Sequence, residues 1–222
     1  MRISIMLQVT DDLIKTIVQE VLGHVRIGSG DLKPVSSSAG KWGVFEDVND
    51  AVAAAKALSV GRADDPKTDV GPMVSAAAAD RVMGMCEDAI KRGASYALKP
   101  TRDGATVSPG ILVQVPQAAR LWCEEVFGPI AIVTPFSGIE EALTLANDSA
   151  FGLQGAIFTS NLRSAFRFAD DFDVGCLWVN EPSRFRVDNY PFGGVKNSGV
   201  GREGLRYAIE EMSQLKFVGI KP

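Results

Sequence analysis

The stretch that most constrains this chain is a glycine-rich loop at residues 190–204. Five glycines fall within the twelve residues 193–204, and apolar regions flank them. Glycine tolerates positive φ angles and close backbone contact, so the run predicts a chain that folds tightly on itself. The spacing Gly199-x-Gly201-x-x-Gly204 matches a dinucleotide-binding fingerprint, but that motif directly follows a strand and lies about 20 residues before an acidic residue. Here a loop precedes the glycines and 18 residues follow Gly204, so we do not interpret them as that fingerprint.

Short apolar runs alternate with amphipathic segments, which predicts an α/β fold with a largely parallel sheet. Expected strands are 111–115, 130–136, 154–159, 174–180 and a terminal strand at 214–220, which can pair with another subunit. Expected helices are 47–58, 75–92, 140–147, 206–212 and one that is capped by Asn161 and carries Leu162, Ala165, Phe166 and Ala169. Cys86 is expected on the buried face of the second of these helices.

The first 41 residues differ in character from residues 42–222. Residues 10–25 form an amphipathic pattern with apolar side chains at 3- and 4-residue spacing, and 28–41 have the Gly, Ser and Pro content of a linker. A short strand is expected at 42–45. The sequence leaves open two interpretations of the amphipathic helix at 10–25. It docks on its own domain, or it binds a partner in a groove.

Composition excludes several classes of function. The net charge of −4 argues against nucleic acid or an anionic membrane as the main partner. The three cysteines lack Cys-x-x-Cys spacing and His24 is the single histidine, so no metal site of these residues is expected. No apolar run approaches the roughly 20 residues of a membrane span, and Asp11 and Asp12 interrupt what would be a signal-peptide core. We therefore expect a cytoplasmic protein.

Four segments of the chain resemble the C-terminal part of the NAD(P)-dependent aldehyde dehydrogenase superfamily. We call them the four family segments: Asp-Pro-Lys-Thr-Asp-Val-Gly-Pro at 65–72, Glu-Glu-Val-Phe-Gly-Pro at 124–129, Ala-Asn-Asp-Ser-Ala-Phe-Gly-Leu at 146–153, and Pro-Phe-Gly-Gly-Val-Lys-Asn-Ser-Gly at 191–199. The resemblance implies that 42–222 form an incomplete catalytic domain with an oligomerisation region. It also implies NAD or NADP as cofactor, an aldehyde substrate, and a homo-oligomer or association with other dehydrogenase subunits.

The resemblance also implies roles for individual residues. Glu125 matches the residue that accepts hydrogen bonds from the nicotinamide ribose hydroxyls, and Phe127 matches the aromatic beside the nicotinamide. Phe192 matches the mouth of the aldehyde tunnel. Arg184 and Arg186 are either contacts for an anionic substrate or exposed loop charges. Lys196, Ser198 and Arg202 are expected to fix the glycine loop and cap the next helix.

The reaction of the family requires a thiolate that attacks the aldehyde and a nicotinamide that accepts hydride. None of the three cysteines matches the position of that nucleophile. Cys86 and Cys176 are expected in apolar surroundings, and at Cys123 the adjacent carboxylates Glu124 and Glu125 disfavour a thiolate. We therefore assign no catalytic residue, and Cys123 is the sole thiol left as a candidate.

The first 60 residues combine the amphipathic helix and the linker with Gly-Val-Phe at 43–45 and an Asn-Asp-Ala-Val-Ala-Ala-Ala-Lys helix at 49–56. They resemble a different group, the coenzyme A-acylating aldehyde dehydrogenases of bacterial microcompartments, in which the leading helix is an encapsulation peptide. Between the two resemblances, the cofactor-binding sheet, the glutamate base, the oxyanion asparagine and the nucleophilic cysteine of the family have no counterpart. We expect the chain alone to be inactive. The alternatives are a non-catalytic interaction module, which binds a microcompartment shell or an intact dehydrogenase, and a truncated or rearranged product without a role.

Overall fold

The computed structural model describes residues 47–221 of the chain. The predicted helix at 10–25, the linker at 28–41 and the strand at 42–45 lie outside the described residues. These predictions, and the division of the chain at residue 41, therefore stay predictions.

Two helices open the described region, and each begins at a side chain that caps it. Helix α1 (Val48–Ala57) follows Asp47, whose carboxylate accepts hydrogen bonds from two backbone N–H groups of the first turn. Helix α2 (Ala76–Lys91) follows Ser75, whose hydroxyl accepts one. Gly93, with φ of +108°, ends this helix in the left-handed conformation that glycine adopts without strain. The helices predicted at 47–58 and 75–92 are therefore confirmed.

The main hydrophobic core lies between α2 and a three-stranded sheet. The sheet has the order β1 (Ser95–Leu98), β4 (Gly110–Val113) and β5 (Ile130–Val133). Strand β1 is antiparallel to β4, and β4 is parallel to β5. A small hairpin, β2 (Arg102–Asp103) and β3 (Thr106–Val107), joins β1 to β4.

Side chains from one face of α2 pack into this core. Met85 and Cys86 are fully buried there and pack with Leu112 of β4, as the prediction for Cys86 required. Burial of a side chain as large as Met85 stabilises the fold by about 1.5–3 kcal/mol. The short helix α3 (Arg120–Cys123) closes one side of the core through Leu121.

The C-terminal part of the described chain is built on a second pair of strands. Strands β7 (Gln154–Ile157) and β8 (Cys176–Val179) are parallel, with Gln154 opposite Cys176. They are connected by helix α5 (Leu162–Asp171), which Asn161 caps. Helix α4 (Ile139–Asn147) lies before this pair in the chain and meets α5 through a bidentate ion pair between Glu140 and Arg167, with distances of 2.9 and 3.2 Å.

The glycine-rich loop returns to the segment that precedes β7. Strand β6 (Phe151–Gly152) pairs with β9 (Val195–Lys196) in antiparallel fashion. Helix α6 (Leu205–Glu211) follows the loop. None of the helices between residues 47 and 221 is long and apolar enough to cross a membrane.

Three details differ from the sequence-based expectation. The sheet structure is mixed rather than largely parallel, because β1 turns back at Gly93 after α2 and the glycine loop returns antiparallel to β6. Residues 214–220 pair with no strand among the described residues and their apolar side chains are exposed, so pairing of this segment with another subunit stays a prediction. Of the apolar residues expected on α5, Ala165 is buried, whereas Leu162, Phe166 and Ala169 are exposed and Phe168 is buried instead.

Candidate functional site

Three of the four family segments meet at one cleft of about 370 Å³, which we call the motif cleft. One wall is the end of α3 and the residues that follow it, and the other is the segment around β6 with Ser198 of the glycine loop. The lining residues that belong to the family segments are Glu124, Glu125, Ala146, Ser149, Phe151, Gly152, Leu153 and Ser198. The first family segment, at 65–72, lies elsewhere, where Val60 and Val70 form a parallel bridge.

Hydrogen bonds hold the glycine loop against the β6 segment. The backbone N–H of Gly152 donates to the hydroxyl of Ser198 at 2.9 Å, and the ammonium of Lys196 donates to the carbonyl of Asn147 at 3.0 Å. Within the loop, the guanidinium of Arg202 donates to the carbonyl oxygens of Gly194 and Gly201. These three side chains therefore fix the loop, as expected, but none of them caps α6.

The opposite wall is positioned by an arginine of helix α2. The guanidinium of Arg81 donates to the backbone carbonyls of Glu125 and Val126, at 2.8 and 2.9 Å. Arg120 makes a bidentate contact with the Glu124 carboxylate, at 2.8 and 3.1 Å, and this hydrogen bonding lowers the pKa of Glu124. The backbone around Glu125 is therefore anchored to the core while the Glu125 side chain stays exposed at the cleft.

The two residues matched to cofactor binding are placed differently. Glu125 lines the motif cleft, whereas Phe127 does not line it and is 68% exposed. Phe127 has a φ of +47°, which is uncommon for a bulky residue, so the backbone turns sharply between the two side chains. The structure thus brings Glu125, but not Phe127, to the motif cleft.

The three thiols differ in environment. Burial raises the pKa of the Cys86 thiol to about 11, so this side chain is a neutral part of the core. Cys123 is exposed and lines the motif cleft, and its thiol donates to the carbonyl oxygen of Gln117 at 3.0 Å. Cys176 is half-buried at the start of β8, with its sulfur 3.6 Å from the carbonyl oxygen of Pro191.

Two of the three candidate substrate-binding residues lie at a second cleft of about 280 Å³, which we call the aromatic cleft. Phe192 and Arg186 both line it, with the guanidinium 4.3 Å from the centre of the ring. Arg186 also pairs with Glu203 at 2.9 Å. Arg184 is exposed and lines neither cleft. The structure therefore brings two of the three predicted substrate residues together.

One residue that sequence reasoning missed borders both clefts. Gln154 lines the motif cleft and the aromatic cleft, and its side-chain oxygen accepts a hydrogen bond from the indole N–H of Trp178 at 3.2 Å. Its position directly after the third family segment is the one sequence feature that could have indicated Gln154 as a site residue. Nothing in the sequence marks Arg81, because its backbone partners lie 44 and 45 residues away.

Among the described residues, the glycine loop does not form a dinucleotide-binding unit. Gly199, Gly201 and Gly204 all have positive φ angles, but β9 before them is a two-residue strand paired with β6. The helix after them, α6, has seven residues. This geometry differs from the strand–turn–helix unit that binds a pyrophosphate. Between residues 47 and 221 there is also no cluster of His, Cys, Asp or Glu side chains suited to a metal ion.

Comparison with known proteins defines the class. The sequence profile of the aldehyde dehydrogenase family matches residues 43–218. This chain therefore belongs to the aldehyde dehydrogenase family.

Two relatives show how similar the chain is to individual members of the family and how much of their length it covers. The chain is 42% identical over 161 residues to the 3-sulfolactaldehyde dehydrogenase of Priestia megaterium, a match that covers 72% of this chain and 34% of the relative. It is 42% identical over 163 residues to the sulfoacetaldehyde dehydrogenase of Neptuniibacter caesariensis, covering 73% of this chain and 36% of the relative. The chain thus spans about a third of the length of the relatives it matches.

Solved structures show the same partial correspondence. The glyceraldehyde-3-phosphate dehydrogenase of Methanocaldococcus jannaschii, complexed with NADP, matches with a TM-score of 0.72 and 41% identity over 76% of this chain and 37% of that one. Aldehyde dehydrogenase 21 of Physcomitrella patens, in complex with succinate, matches with a TM-score of 0.72 and 35% identity over 74% of this chain and 34% of that one.

Proposed function

We propose that this chain forms the C-terminal wall of the active site of an NAD(P)-dependent aldehyde dehydrogenase. The observation that carries the proposal is the motif cleft, where three family segments, separated by up to several tens of residues, converge on Glu125 and Ser198. Convergence of distant segments on one cleft indicates a site rather than a shared packing requirement.

In this proposal Glu125 accepts hydrogen bonds from the two hydroxyls of the nicotinamide ribose, because a carboxylate offers two acceptor oxygens. Phe127, which lies outside the motif cleft, is proposed to offer a flat apolar surface to the nicotinamide. When bound, NAD or NADP supplies the acceptor for the hydride of the aldehyde. The NADP complex of the Methanocaldococcus jannaschii structure supports a nicotinamide cofactor for the family.

Phe192, Arg184 and Arg186 are the proposed contacts for the aldehyde. Two of the relatives are named for sulfonated aldehydes, which favours an anionic substrate. Arg186 already pairs with Glu203, so Arg184 is the arginine with its hydrogen-bonding capacity left for such a substrate among the described contacts. Guanidinium groups bind planar or tetrahedral oxyanions through paired hydrogen bonds.

This chain alone is proposed not to turn over aldehyde. The Cys86 thiol stays neutral because burial raises its pKa to about 11, and the exposed Cys123 does not match the position of the family's nucleophile. Acyl transfer needs a thiolate beside a site that stabilises the oxyanion. The working thiolate and the dinucleotide-binding sheet would come from additional polypeptide.

The alternative is a non-catalytic module that associates with an intact dehydrogenase or with a microcompartment shell through residues 1–41. The N-terminal resemblance to microcompartment enzymes favours this alternative. Under this alternative, the protein lies in the cytoplasm, within a microcompartment, and is a homo-oligomer or is bound to other dehydrogenase subunits.

Two assays on the full 222-residue chain separate these functions. We expect no NADH or NADPH formation with sulfoacetaldehyde or lactaldehyde, and no micromolar binding of NAD in a calorimetric titration. Turnover that disappears in the Cys123→Ala variant would show instead that the chain is itself an enzyme. Under the alternative, co-purification with an intact dehydrogenase or a shell protein is lost when residues 1–25 are deleted, while the Glu125→Gln variant retains it.

A further inference from the structure

The turn between β2 and β3 carries an Asp-Gly pair, which occurs once in the sequence. Asp103 pairs with Thr106 across the hairpin, so Gly104 and Ala105 form a two-residue turn. Gly104 has a φ of +56°, a conformation that glycine adopts without strain. Asp103 and Gly104 are both exposed. Because glycine has no Cβ atom, no side chain at Gly104 obstructs the approach of the Asp103 carboxyl group to the next backbone nitrogen.

Among the described residues, neither reacting group of this Asp-Gly pair has a hydrogen-bond partner. The neighbouring guanidinium of Arg102 pairs with Asp80 and donates to the carbonyl oxygen of Gly104 at 3.0 Å, and not to the Asp103 carboxylate. The backbone N–H of Gly104 donates to no acceptor in the same part of the chain. The nitrogen of Gly104 and the carboxyl carbon of Asp103 are therefore both available for ring closure between the two residues.

Two other peptide bonds between residues 47 and 221 join an Asp or Asn to a Gly or Ser, and hydrogen bonds block both. After Asn197, the backbone N–H of Ser198 donates to the carbonyl oxygen of Val195 at 3.1 Å. After Asp148, the N–H of Ser149 donates to the carbonyl oxygen of Asn147 at 2.8 Å. An N–H group that already donates has to give up its hydrogen bond before its nitrogen can attack a side chain. The sequence alone would favour Asn197, since asparagine forms such a ring more readily than aspartate.

We propose that Asp103 is a site of spontaneous conversion to isoaspartate in the folded protein, and that the fold protects Asn197 and Asp148 from the same reaction. The backbone nitrogen of Gly104 attacks the carboxyl carbon of Asp103 and forms a C–N bond, while the carboxyl hydroxyl group and the amide proton leave as water. A second water molecule then opens the cyclic imide. When it breaks the bond from this nitrogen to the main-chain carbonyl carbon, the backbone continues through the side chain of residue 103. Water is lost and regained, so nothing is oxidised or reduced and the mass is unchanged.

Isoaspartate at residue 103 opens the hairpin, because it adds a carbon atom to the backbone next to the turn. The pairing of Asp103 with Thr106 and of Arg102 with Val107 fits a two-residue turn of normal length. Both strands of the hairpin contact α2: Arg102 donates to the carbonyl oxygen of Ala76 at 3.3 Å, and the fully buried Val107 packs against this helix. The conversion should therefore loosen the hairpin together with the first turns of α2.

The test follows the three sites in the full 222-residue chain during prolonged incubation at neutral pH. Liquid chromatography separates the tryptic peptide that contains isoaspartate from the original peptide of equal mass, and mass spectrometry detects deamidation at Asn197. In the folded chain Asp103 should convert while Asn197 and Asp148 stay intact. In denaturant Asn197 should react about fivefold faster or more, because the hydrogen bond on its attacking N–H is lost, whereas Asp103 should keep its rate. Deamidation of Asn197 in the folded chain with Asp103 unchanged, or protection of Asp103 by folding, would overturn the proposal.

The Asp103→Glu variant is the matched control, because glutamate keeps the negative charge but would have to close a larger ring. This variant should show no conversion and should keep the stability of the original chain. Hydrogen exchange provides the second measurement. After incubation of the original chain, residues 102–107 and 76–80 should exchange faster in proportion to the isoaspartate content, and the incubated variant should exchange as it did at the start. Unchanged exchange in a chain that contains isoaspartate, or equal loosening of the variant, would contradict the opening of the hairpin.

Discussion

Replacing Gly152 by alanine tests how closely the glycine loop packs against the β6 segment. A Cβ atom at this position would lie 2.6 Å from the carbonyl oxygen of Asp173 and 2.7 Å from a methyl group of Val195. Ordinary contacts of a Cβ atom begin at about 3.4 Å, so the backbone of Gly152 has to move by several tenths of an ångström. The obstacle at Asp173 is backbone and cannot rotate away.

The surroundings of Gly152 limit this movement. Its N–H donates to Ser198 at 2.9 Å, and its carbonyl accepts from the N–H of Gly175 at 3.0 Å. Overpacking of this kind costs about 1–3 kcal/mol. Loss of one of the hydrogen bonds adds about 1 kcal/mol. The expected total of about 2–4 kcal/mol corresponds to a fall in Tm of roughly 5–15 °C for a domain of this size.

The assay is thermal unfolding followed by circular dichroism, with Gly84→Ala as the matched control. Gly84 lies within helix α2, and a Cβ atom there has no neighbour within 4 Å. The same chemical change should therefore stabilise the protein by about 0.5–1 kcal/mol through the helix preference of alanine. An unchanged Tm for Gly152→Ala, beside a raised Tm for Gly84→Ala, would refute the close packing described for the motif cleft.

Three further results are expected. Met85→Ala should lower the free energy of unfolding by about 2–5 kcal/mol in urea titrations, because Met85 is fully buried, and a smaller loss would mean that the core repacks. At pH 8, iodoacetamide should alkylate the exposed Cys123 quickly. It should alkylate Cys86 only after unfolding, because Cys86 is buried and burial raises the pKa of its thiol to about 11. Mass spectrometry of the labelled peptides measures the extent of alkylation at each cysteine. Hydrogen bonding to Arg167 lowers the pKa of Glu140, so this carboxylate stabilises the fold above its unfolded pKa of about 4.3 and stops doing so as the pH falls through the lower folded value. The stability difference between the original chain and Glu140→Gln should therefore be present at pH 7 and vanish in strong acid, and a difference that persists there would contradict this assignment.

Features that depend on neighbouring residues were predictable from the sequence. The caps at Asp47, Ser75 and Asn161 act within one helical turn, and the structure shows all three. The strands that begin at Ile130 and Gln154 follow from local apolar runs, and both begin at the expected residue. Short-range chemistry determines these elements, so the sequence specifies them directly.

Features that depend on distant partners were not predictable. Strand direction is set by which segments pair, so the antiparallel partners of β4 and β6 could not be read from apolar runs. The same holds for the site. Glu125 was predicted through the family resemblance, but the turn that directs Phe127 away from the motif cleft and the contact of Arg81 with its backbone depend on three-dimensional packing.

Hydrogen bonds on its two sides hold the walls of the motif cleft. Arg81 holds the Glu125 wall to α2, whereas Ser198 holds the other wall to β6 through the N–H of Gly152. A molecule that contacts both walls should therefore bind more weakly when either hydrogen bond is removed, because it then has to order that wall on binding.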